Sequence, residues 1–274
     1  MSLDGFSVIM SVYRNDELVH FRRAVDSIIR QTVVPSEVIL IVDGAVPDGI
    51  LDVVNEFRSK YRFFRPIFLP ENRGLGNALK LGVEHANYDL IARMDSDDIS
   101  VSDRFERQLV FFEQDKQLSV IGGNISEFIG EETNVIGQRV VPTNHSDITS
   151  YLRRRCPFNH VTVMFRKSAV LEAGNYIDWF WNEDYYLWVR MYKAGCRFRN
   201  IDATLVNVRV GPDMYRRRGG WKYFRSEAAL QRYMFQNRVI RLDEYLFNIV
   251  VRFVLQVITP GSVRGFVFRR FFRV

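Results

Sequence analysis

Residues 6–44 read FSVIMSVYRNDELVHFRRAVDSIIRQTVVPSEVILIVDG. Two short apolar runs rich in β-branched residues, Phe6–Val12 and Val38–Val42, have the pattern of buried strands. Between them, Glu17–Arg30 repeats apolar residues with helical spacing. The alternation continues with strands expected at Phe64–Leu69 and Asp89–Met94 and helices expected at Asp48–Tyr61 and Leu75–Ala86. Such repeats predict an α/β fold in which a parallel sheet is covered by helices on both faces.

The second half of the chain is less regular and predicts a mixed α+β region that continues the same sheet. The helices expected here are Asp103–Gln117, Ser146–Arg155 and Glu183–Ala194. The strands expected are Val120–Gly123, Ile125–Ile129, Val135–Val141, His160–Phe165 and Phe198–Val208. The residues that follow have helical patterns, so we expect a C-terminal helical extension.

The composition is that of an ordered globular protein. Of the 274 residues, 47% are apolar and 14% are aromatic, and no low-complexity tract or repeat interrupts the chain. The two cysteines, Cys156 and Cys196, are too few for a disulfide framework and lack metal-ligand spacing. Because no basic segment followed by an apolar stretch begins the chain, we expect a cytoplasmic protein.

Positive charge is concentrated towards the C-terminus. Residues 214–274 contain 13 Lys and Arg against 3 Asp and Glu, whereas the first 213 residues contain 25 against 29. These balances of +10 and −4 make up the net charge of +6. A basic end of this kind predicts an anionic partner, either phospholipid or nucleic acid.

Two segments near the C-terminus have the pattern of amphipathic helices. In Tyr245–Ile258 the polar residues Asn248, Arg252 and Gln256 are spaced four apart and form one narrow polar stripe. The segment is too short, and too interrupted by Arg252, to predict a membrane span. In Val263–Val274 four Arg alternate with four Phe, which favours an interfacial helix on an anionic membrane. The alternative is a helix packed against the rest of the protein.

Polar loops follow the four expected strands of the first hundred residues. They are Ser11–Asn15, Asp43–Gly49, Glu71–Asn77 and Asp95–Asp98. Because the ligands of such sheets bind beyond the carboxyl ends of the strands, we expect these loops to converge on one site.

The strongest candidate for chemistry is the acidic run Asp95-Ser96-Asp97-Asp98, which directly follows a buried strand. Carboxylates this close repel one another unless a cation compensates them, and hard oxygen ligands suit Mg²⁺ or Mn²⁺. A metal ion held here can neutralise a diphosphate leaving group. A calcium-binding EF-hand loop is excluded because Ile99 and Ser100 stand where that loop needs Asp or Asn and then Gly. A structural role, with Asp98 or Ser100 capping a helix, stays open.

Five motifs follow one another in a characteristic order and spacing. They are Val8-Ile9-Met10-Ser11-Val12-Tyr13, Val42-Asp43-Gly44, Asn72-Arg73-Gly74-Leu75-Gly76-Asn77-Ala78, Asp95-Ser96-Asp97-Asp98 and Trp181-Asn182-Glu183-Asp184-Tyr185. Together they resemble the motifs of the glycosyltransferases of family 2. The similarity covers residues 5–225 and is strongest to bacterial enzymes that extend lipid-linked O-antigen or exopolysaccharide repeat units. The resemblance implies a GT-A (Rossmann-like) fold, with a mixed, mainly parallel sheet flanked by helices, and inverting transfer of a sugar from a nucleotide-sugar donor.

The resemblance places the nucleotide base at Ser11, Val12, Tyr13 and Asp43. UDP is the expected nucleotide, since a carboxylate can accept the uracil imide N–H and a tyrosine can stack on the ring. Only Asp43 is available as a carboxylate there, because the chain has Val-Asp-Gly-Ala where the family often has Asp-Asp-Gly-Ser.

The remaining donor contacts are expected at Arg73, Asn77, Asp95 and Ser96. Asp95 and Asp97 are the expected ligands of Mg²⁺ or Mn²⁺, with Asp97 the direct one. A glycine-rich helix start without a ligand is the alternative for the segment around Arg73 and Asn77. A nicotinamide cofactor is disfavoured there, because Leu79 takes the place of the third glycine.

On the acceptor side, the resemblance makes Asp184 the catalytic base, with Glu183 supporting it or contacting the acceptor. Alternatively, both carboxylates could stabilise a helix that begins at this point by interacting with its dipole. His160 is either in the acceptor pocket or a hydrogen-bonded histidine on a strand. Trp181 is a candidate to stack on a sugar ring, and core packing is its alternative. Arg216–Arg218 could reach a phosphate or form a solvated loop.

These roles divide the chain into a glycosyltransferase domain, residues 1–225, and a basic amphipathic helical tail, residues 226–274. Within the domain, residues 1–98 are expected to bind the nucleotide sugar and residues 99–225 the acceptor. We expect a non-processive enzyme of cell-surface polysaccharide biosynthesis, because several membrane spans and a Gln-x-x-Arg-Trp motif are both lacking. Its expected place is the cytoplasmic face of the inner membrane, held peripherally on anionic lipid by the tail.

Two non-enzymatic alternatives remain at this point. One is a nucleotide-binding scaffold docked on a membrane, which would have no need of Asp184. The other is a nucleic-acid-binding protein that uses the basic tail, although no recognised module for nucleic acid is present.

Overall fold

The computed structural model describes residues 5–211 and 219–260. Its strands are β1 (Ser7–Val12), β2 (Glu37–Val42), β3 (Phe64–Phe68), β4 (Leu90–Arg93), β5 (Ile99–Ser100), β6 (Leu118–Phe128), β7 (Val135–Arg139), β8 (Met164–Arg166) and β9 (Arg197–Arg209). They form one sheet in the order β3-β2-β1-β4-β8-β6-β9-β5, with β7 paired to β6. Arg216–Arg218 and Val263–Val274, the candidate phosphate and membrane contacts, lie outside the described residues.

The helices are α1 (Leu18–Ile29), α2 (Asp48–Lys60), α3 (Leu75–His85), α4 (Arg104–Gln114), α5 (His145–Leu152), α6 (Lys167–Glu172), α7 (Glu183–Lys193), α8 (Trp221–Gln236) and α9 (Leu242–Phe253). A π-helical turn, Val254–Ile258, continues α9. Across residues 5–211 and 219–260, no helix has the length and apolar character needed to cross a membrane.

The first half of the sheet is parallel, as the sequence predicts. β1 lies between β2 and β4, and both neighbours run parallel to it. Successive residues of β1 face opposite sides, so Val8 and Met10 join one buried apolar cluster and Ile9 joins the other. The chain order reverses at β1, since it continues to β2 on one side and to β4 on the other. Such a switch point is where an open α/β sheet places its ligand.

The second half makes the sheet mixed, because β8 runs antiparallel to both β4 and β6. The expected break between Val120–Gly123 and Ile125–Ile129 is wrong, since β6 is one continuous strand. Its register with β9 shifts between Gly123 and Asn124, and an added Cβ at Gly123 would lie 2.6 Å from Leu205 Cδ1. The glycine that looks like a strand end therefore marks an irregularity inside the strand, where two elements approach closely.

The expected strand over His160–Phe165 is also wrong in its first half. His160–Thr162 forms a 3₁₀ turn, and β8 begins only at Met164. The turn is closed by the Thr162 N–H, which donates to the Asn159 carbonyl oxygen at 2.9 Å. Alternating apolar residues here reflect burial of a turn between two layers, and not a pleated strand.

The polar stripe of the C-terminal segment lies on the inside of the protein. Asn248, Arg252 and Gln256 are buried, whereas the apolar residues Leu246 and Val250 of the same helix are exposed. Within the described residues this segment therefore packs on the rest of the protein through its polar side.

Candidate active site

Two loops at the switch point are held together by Asp16. Its Oδ2 atom accepts hydrogen bonds from the Tyr13 N–H at 2.9 Å and from the Ser96 hydroxyl at 3.0 Å. Tyr13 follows β1 and Ser96 follows β4, so the expected convergence of these loops is found. Asp16 lies one residue beyond the predicted loop Ser11–Asn15 and has no motif of its own in the sequence.

Asp43 fixes the loop that leads into α3. The buried carboxylate accepts the Arg73 N–H on Oδ1 at 2.7 Å and the Gly74 N–H on Oδ2 at 3.0 Å. Gly44 allows the two loops to meet, because its φ is +83° and an added Cβ would lie 2.6 Å from the Asn72 nitrogen. Asp43 thus positions this loop in the structure, and its contact with a base stays a prediction.

The other expected donor residues surround this edge. Ser11 and Val12 end β1, with Val12 buried, and the Tyr13 side chain that follows is exposed. Arg73 is exposed, and its carbonyl oxygen accepts from Asn77 Nδ2 at 2.8 Å. Tyr13 and Arg73 are therefore free of the core, as a ligand contact requires.

The acidic run after β4 contains three carboxylates in different environments. The Arg93 guanidinium holds both oxygens of Asp95, with Nη1 at 2.6 Å from Oδ2, and Arg93 itself is buried. Partial enclosure and the negative charges of Asp95 and Asp16 raise the pKa of the Asp97 carboxyl to about 6. Burial raises the pKa of Asp98 well above its ordinary value, although its Oδ1 accepts the Arg209 N–H at 2.8 Å.

Concentrated negative charge makes this run suitable for a divalent cation. Among residues 5–211 and 219–260, no three carboxylate, imidazole or thiol groups converge in a preformed cage. Mg²⁺ sites of nucleotide-binding enzymes commonly use one or two carboxylates together with substrate phosphates. The exposed Asp97, crowded by Asp95 and Asp16, fits a site of that kind.

The second carboxylate pair begins α7. Asp184 Oδ1 accepts the Tyr185 N–H at 2.7 Å, and Cys156 Sγ lies 3.6 Å from Oδ2. Burial raises the pKa of Asp184, while the Tyr185 N–H and the positive charge of Arg93 lower it. Burial and the charge of Asp184 raise the pKa of Glu183 to about 7. Both groups therefore hold a proton near neutral pH more readily than ordinary carboxyls do.

Arg93 connects the two carboxylate sets. It pairs directly with Asp95, and its charge lowers the pKa of both Glu183 and Asp184. The start of α3 also approaches α7, since an added Cβ at Gly76 would lie 3.5 Å from Glu183 Cβ. Residues nearly ninety positions apart in the sequence thus face one site.

Comparison with known proteins identifies the family to which the chain belongs. The family model described as "Glycosyl transferase family 2" matches residues 7–174, more than half of the chain. The chain belongs to glycosyltransferase family 2. The predicted resemblance is therefore confirmed.

Relatives of this glycosyltransferase are similar along most of its length. An uncharacterized glycosyltransferase of Haemophilus influenzae is 38% identical over 98% of this chain and 99% of its own. The UDP-Gal:alpha-D-GlcNAc-diphosphoundecaprenol beta-1,3-galactosyltransferase of Escherichia coli is 34% identical over 98% and 96%. The amylovoran biosynthesis glycosyltransferase AmsE of Erwinia amylovora is 34% identical over 83% and 84%. The chain is thus a transferase of polysaccharide biosynthesis, as predicted.

Solved structures confirm the GT-A fold. S. aureus TarS 1–349 in complex with UDP-GlcNAc has a TM-score of 0.69 at 15% identity, over 97% of this chain and 77% of that chain. A longer TarS chain has a TM-score of 0.64 over 91% of this chain but 43% of its own length. The mannosyltransferase PcManGT from Pyrobaculum calidifontis, in complex with GDP-Man and Mn²⁺, has a TM-score of 0.58 at 15% identity, over 97% and 80%.

The residues of the glycosyltransferase that were predicted to contact the acceptor differ in their surroundings. His160 Nε2 lies 2.9 Å from the Tyr176 hydroxyl, and burial together with Arg93 lowers the His160 pKa well below its ordinary value. His160 is therefore a neutral, hydrogen-bonded histidine beside the site. Trp181 is exposed, has a φ of +59° and lies two residues before Glu183 in the sequence. The neighbouring Trp179 instead packs on Tyr186, with ring centroids 4.4 Å apart.

Proposed function

We propose that this enzyme is a metal-dependent, inverting and non-processive hexosyltransferase that moves a sugar from a UDP-sugar to a lipid-linked saccharide. The proposal rests on the position of Arg93, which pairs with Asp95 and whose positive charge lowers the pKa of Asp184. A donor-binding cluster and a candidate base thereby share one site. The similarity to a galactosyltransferase whose name specifies UDP-Gal and a diphosphoundecaprenol acceptor supports the choice of substrates.

On the donor side, Ser11, Val12, Tyr13 and Asp43 would surround the base, and Arg73, Asn77 and Ser96 would lie along the nucleotide sugar. Asp97, with Asp95, would hold Mg²⁺ or Mn²⁺. A bound cation would neutralise the charge that develops on the departing UDP. The solved neighbour that holds GDP-Man and Mn²⁺ has the same fold and supports this assignment.

On the acceptor side, Asp184 takes the proton of the attacking hydroxyl. The acceptor oxygen forms a bond to the anomeric carbon from the face opposite UDP, and the bond from that carbon to the diphosphate oxygen breaks. The raised pKa of Asp184 makes it a stronger base than an ordinary aspartate. Glu183 supports Asp184 or contacts the acceptor, and Trp181 offers an exposed ring for a sugar face.

We assign residues 1–225 to the transferase domain, with donor and acceptor halves 1–98 and 99–225, and residues 226–274 to a tail that binds anionic membrane. The enzyme would then act peripherally on the cytoplasmic face of the inner membrane. A lipid-linked acceptor and the basic C-terminal sequence support this location.

Thermal unfolding with a panel of nucleotides tests the donor and the metal together. We expect UDP to raise the unfolding temperature only when Mn²⁺ or Mg²⁺ is present, and GDP, dTDP and CMP to raise it less. Release of UDP from a UDP-hexose, dependent on a lipid-linked acceptor, is the matching activity. Stabilisation by none of the nucleotides would overturn the donor assignment, and UDP binding without any transfer would favour a scaffold.

A further inference from the structure

Helix α9 and its π-helical turn present an apolar strip to the outside of the protein. Five of its residues are spaced four apart, and Phe247 adjoins them; together Leu242, Leu246, Phe247, Val250, Val254 and Ile258 are here called the outer strip. Leu246, Phe247, Val250 and Ile258 are 54%, 61%, 60% and 61% exposed. The strip amounts to an exposed apolar area on the order of 600 Å², as large as the largest patch on a typical monomer.

The orientation of α9 is fixed by the polar residues on its inner side. Asn248 Nδ2 donates to the Arg153 carbonyl at 2.9 Å and to Gln231 Oε1 at 2.8 Å. Arg252 pairs with Glu227 of α8, and its Nη2 donates to the Arg154 carbonyl at 2.8 Å. Rotating the helix to bury the outer strip would break a buried ion pair, which is strongly unfavourable. The contacts of the inner side therefore keep the outer strip exposed among the described residues.

We propose that the outer strip inserts into the interfacial region of an anionic lipid bilayer. The composition of the C-terminal sequence favours this occupant, because residues 219–274 contain ten Lys and Arg but only Glu227, Asp243 and Glu244 as acids. Each of those acids has an arginine partner. The ten cations exceed the three acids by seven, so the C-terminal region has a net positive charge that attracts anionic headgroups. Four of the ten cations follow the strip directly, in residues 261–274.

A second copy of the chain fits the strip less well. Stable interfaces bury about 800 Å² on each partner and are broad and well packed. The outer strip is smaller than that and only one helix wide. A bilayer surface has no such requirement, since it accepts an apolar helix face of any length together with flanking cations.

The strip is linked to the acceptor side of the active site through α8. Ser226, the neighbour of Glu227, accepts from Asn182 Nδ2 at 3.2 Å and donates from its hydroxyl to the Phe180 carbonyl at 2.6 Å. These residues directly precede Glu183 and Asp184. If the proposed function holds, on which this consequence rests, insertion of the strip brings Asp184 towards the surface where a lipid-linked acceptor lies.

Sedimentation with vesicles tests the inference on the full chain. We expect the wild type to bind vesicles of phosphatidylcholine with phosphatidylglycerol, and Leu246→Gln with Val250→Gln to lose about tenfold or more in partitioning. The matched control is Val19→Gln with Val110→Gln, which removes exposed apolar residues from α1 and α4 and should stay within about twofold. No vesicle binding by the wild type, or equal binding by the Leu246/Val250 variant, would overturn the proposal.

Two further measurements separate the other occupants. Replacing Arg264, Arg269, Arg270 and Arg273 by Gln tests the C-terminal cations; if this abolishes binding while the Leu246/Val250 variant binds normally, the strip is not the membrane contact. Light scattering that shows a wild-type dimer, converted to a monomer by the strip variant without any vesicle binding, would assign the strip to a second copy.

Activity on a water-soluble, short-chain acceptor distinguishes this inference from the proposed function. The Leu246/Val250 variant should keep the wild-type rate on that acceptor within about twofold and lose rate only on acceptor embedded in vesicles. Vesicle binding through the strip in a protein that transfers no sugar would instead retain the inference and remove the proposed function. A rate on the soluble acceptor that falls as far as the rate on vesicles would contradict a membrane role.

Discussion

The positive charge of Arg93 lowers the pKa of carboxyls after β4 and of those at the start of α7, and the two groups lie in different environments. Asp97 is exposed at a loop, and its neighbours Asp95 and Asp16 crowd it with negative charge. Asp184 is half-buried, in contact with a thiol and a backbone N–H. The first environment suits a cation shared with phosphate, whereas the second suits a proton that is taken up and released. Their surroundings thus suit residues of one chemical type to the two functions that we propose for them.

The largest effect in this comparison is expected from Asp97→Ala. Loss of the exposed carboxylate removes the cation site, so metal-dependent stabilisation by UDP should disappear and transfer should fall about a thousandfold or more. Thermal shift and UDP-release assays measure both quantities. Asp52→Ala, an exposed aspartate of α2, is the control and should behave as wild type. Metal-dependent UDP binding that survives in Asp97→Ala would place the cation elsewhere.

Arg93→Lys should give the next largest effect, because it keeps the charge but loses the paired hydrogen bonds to Asp95. We expect transfer to fall about a hundredfold. Both the UDP affinity and the pH dependence of the rate should change, because Arg93 pairs with Asp95 and its charge lowers the pKa of Asp184. Arg22→Lys is a matched control, because Arg22 makes a similar two-point contact with Glu56 at an exposed position. A change confined to UDP affinity would show that the two sets are independent.

Glu183→Gln should have the smallest effect on the maximal rate and a clear effect on its pH dependence. The pair should ionise in two steps, because burial and the charge of Asp184 raise the pKa of Glu183 to about 7, so Glu183 is still protonated where Asp184 ionises. Glu183→Gln removes the upper step, so any change of kcat/KM around pH 7 should disappear while the acid limb set by Asp184 stays in place. The pH–rate profile of the variant measures both. A change in this region that persists in the variant would show that Glu183 is not its source, and a large displacement of the acid limb would contradict the assigned order of ionisation.

The same substitution changes the pH dependence of stability. Glu183 has an ordinary pKa of 4.5 and a folded-state pKa of about 7, so the folded protein binds this proton more tightly than the unfolded chain. The corresponding stability is present below pH 4.5 and is lost as the pH rises to about 7. Thermal unfolding at pH 5 and pH 8 should therefore differ less for Glu183→Gln than for the wild type.

The donor half could be predicted closely from the sequence, because its elements obey simple periodicity. Expected strand and helix limits such as Phe6–Val12 and Leu75–Ala86 differ from β1 and α3 by one residue at an end. The convergence of the loops after β1 and β4 followed from the rule for parallel sheets. Here local pattern and tertiary position agree.

The remainder depends on contacts that no local pattern encodes. In the sequence, Arg93 is one residue of an expected buried strand. Its influence on the pKa of Asp184 depends on the position of α7 in the folded protein, which no local pattern encodes. In the sequence, Asp16 looks like any polar loop residue. Its role depends on the hydrogen bond from Ser96, which follows a different strand. The stripe of Asn248 and Arg252 was found in the sequence, but its inward direction is set by Glu227 and Gln231 of α8.

The most direct test of one shared active site is to measure both the rate of sugar transfer and the affinity for UDP in Asp184→Asn. We predict that sugar transfer falls by about 10²–10⁴-fold, while metal-dependent UDP binding stays as in the wild type. That result would assign proton transfer to α7 and donor binding to the loop after β4. Full transfer activity in Asp184→Asn, measured as UDP release with acceptor present, would show that Asp184 is not the base.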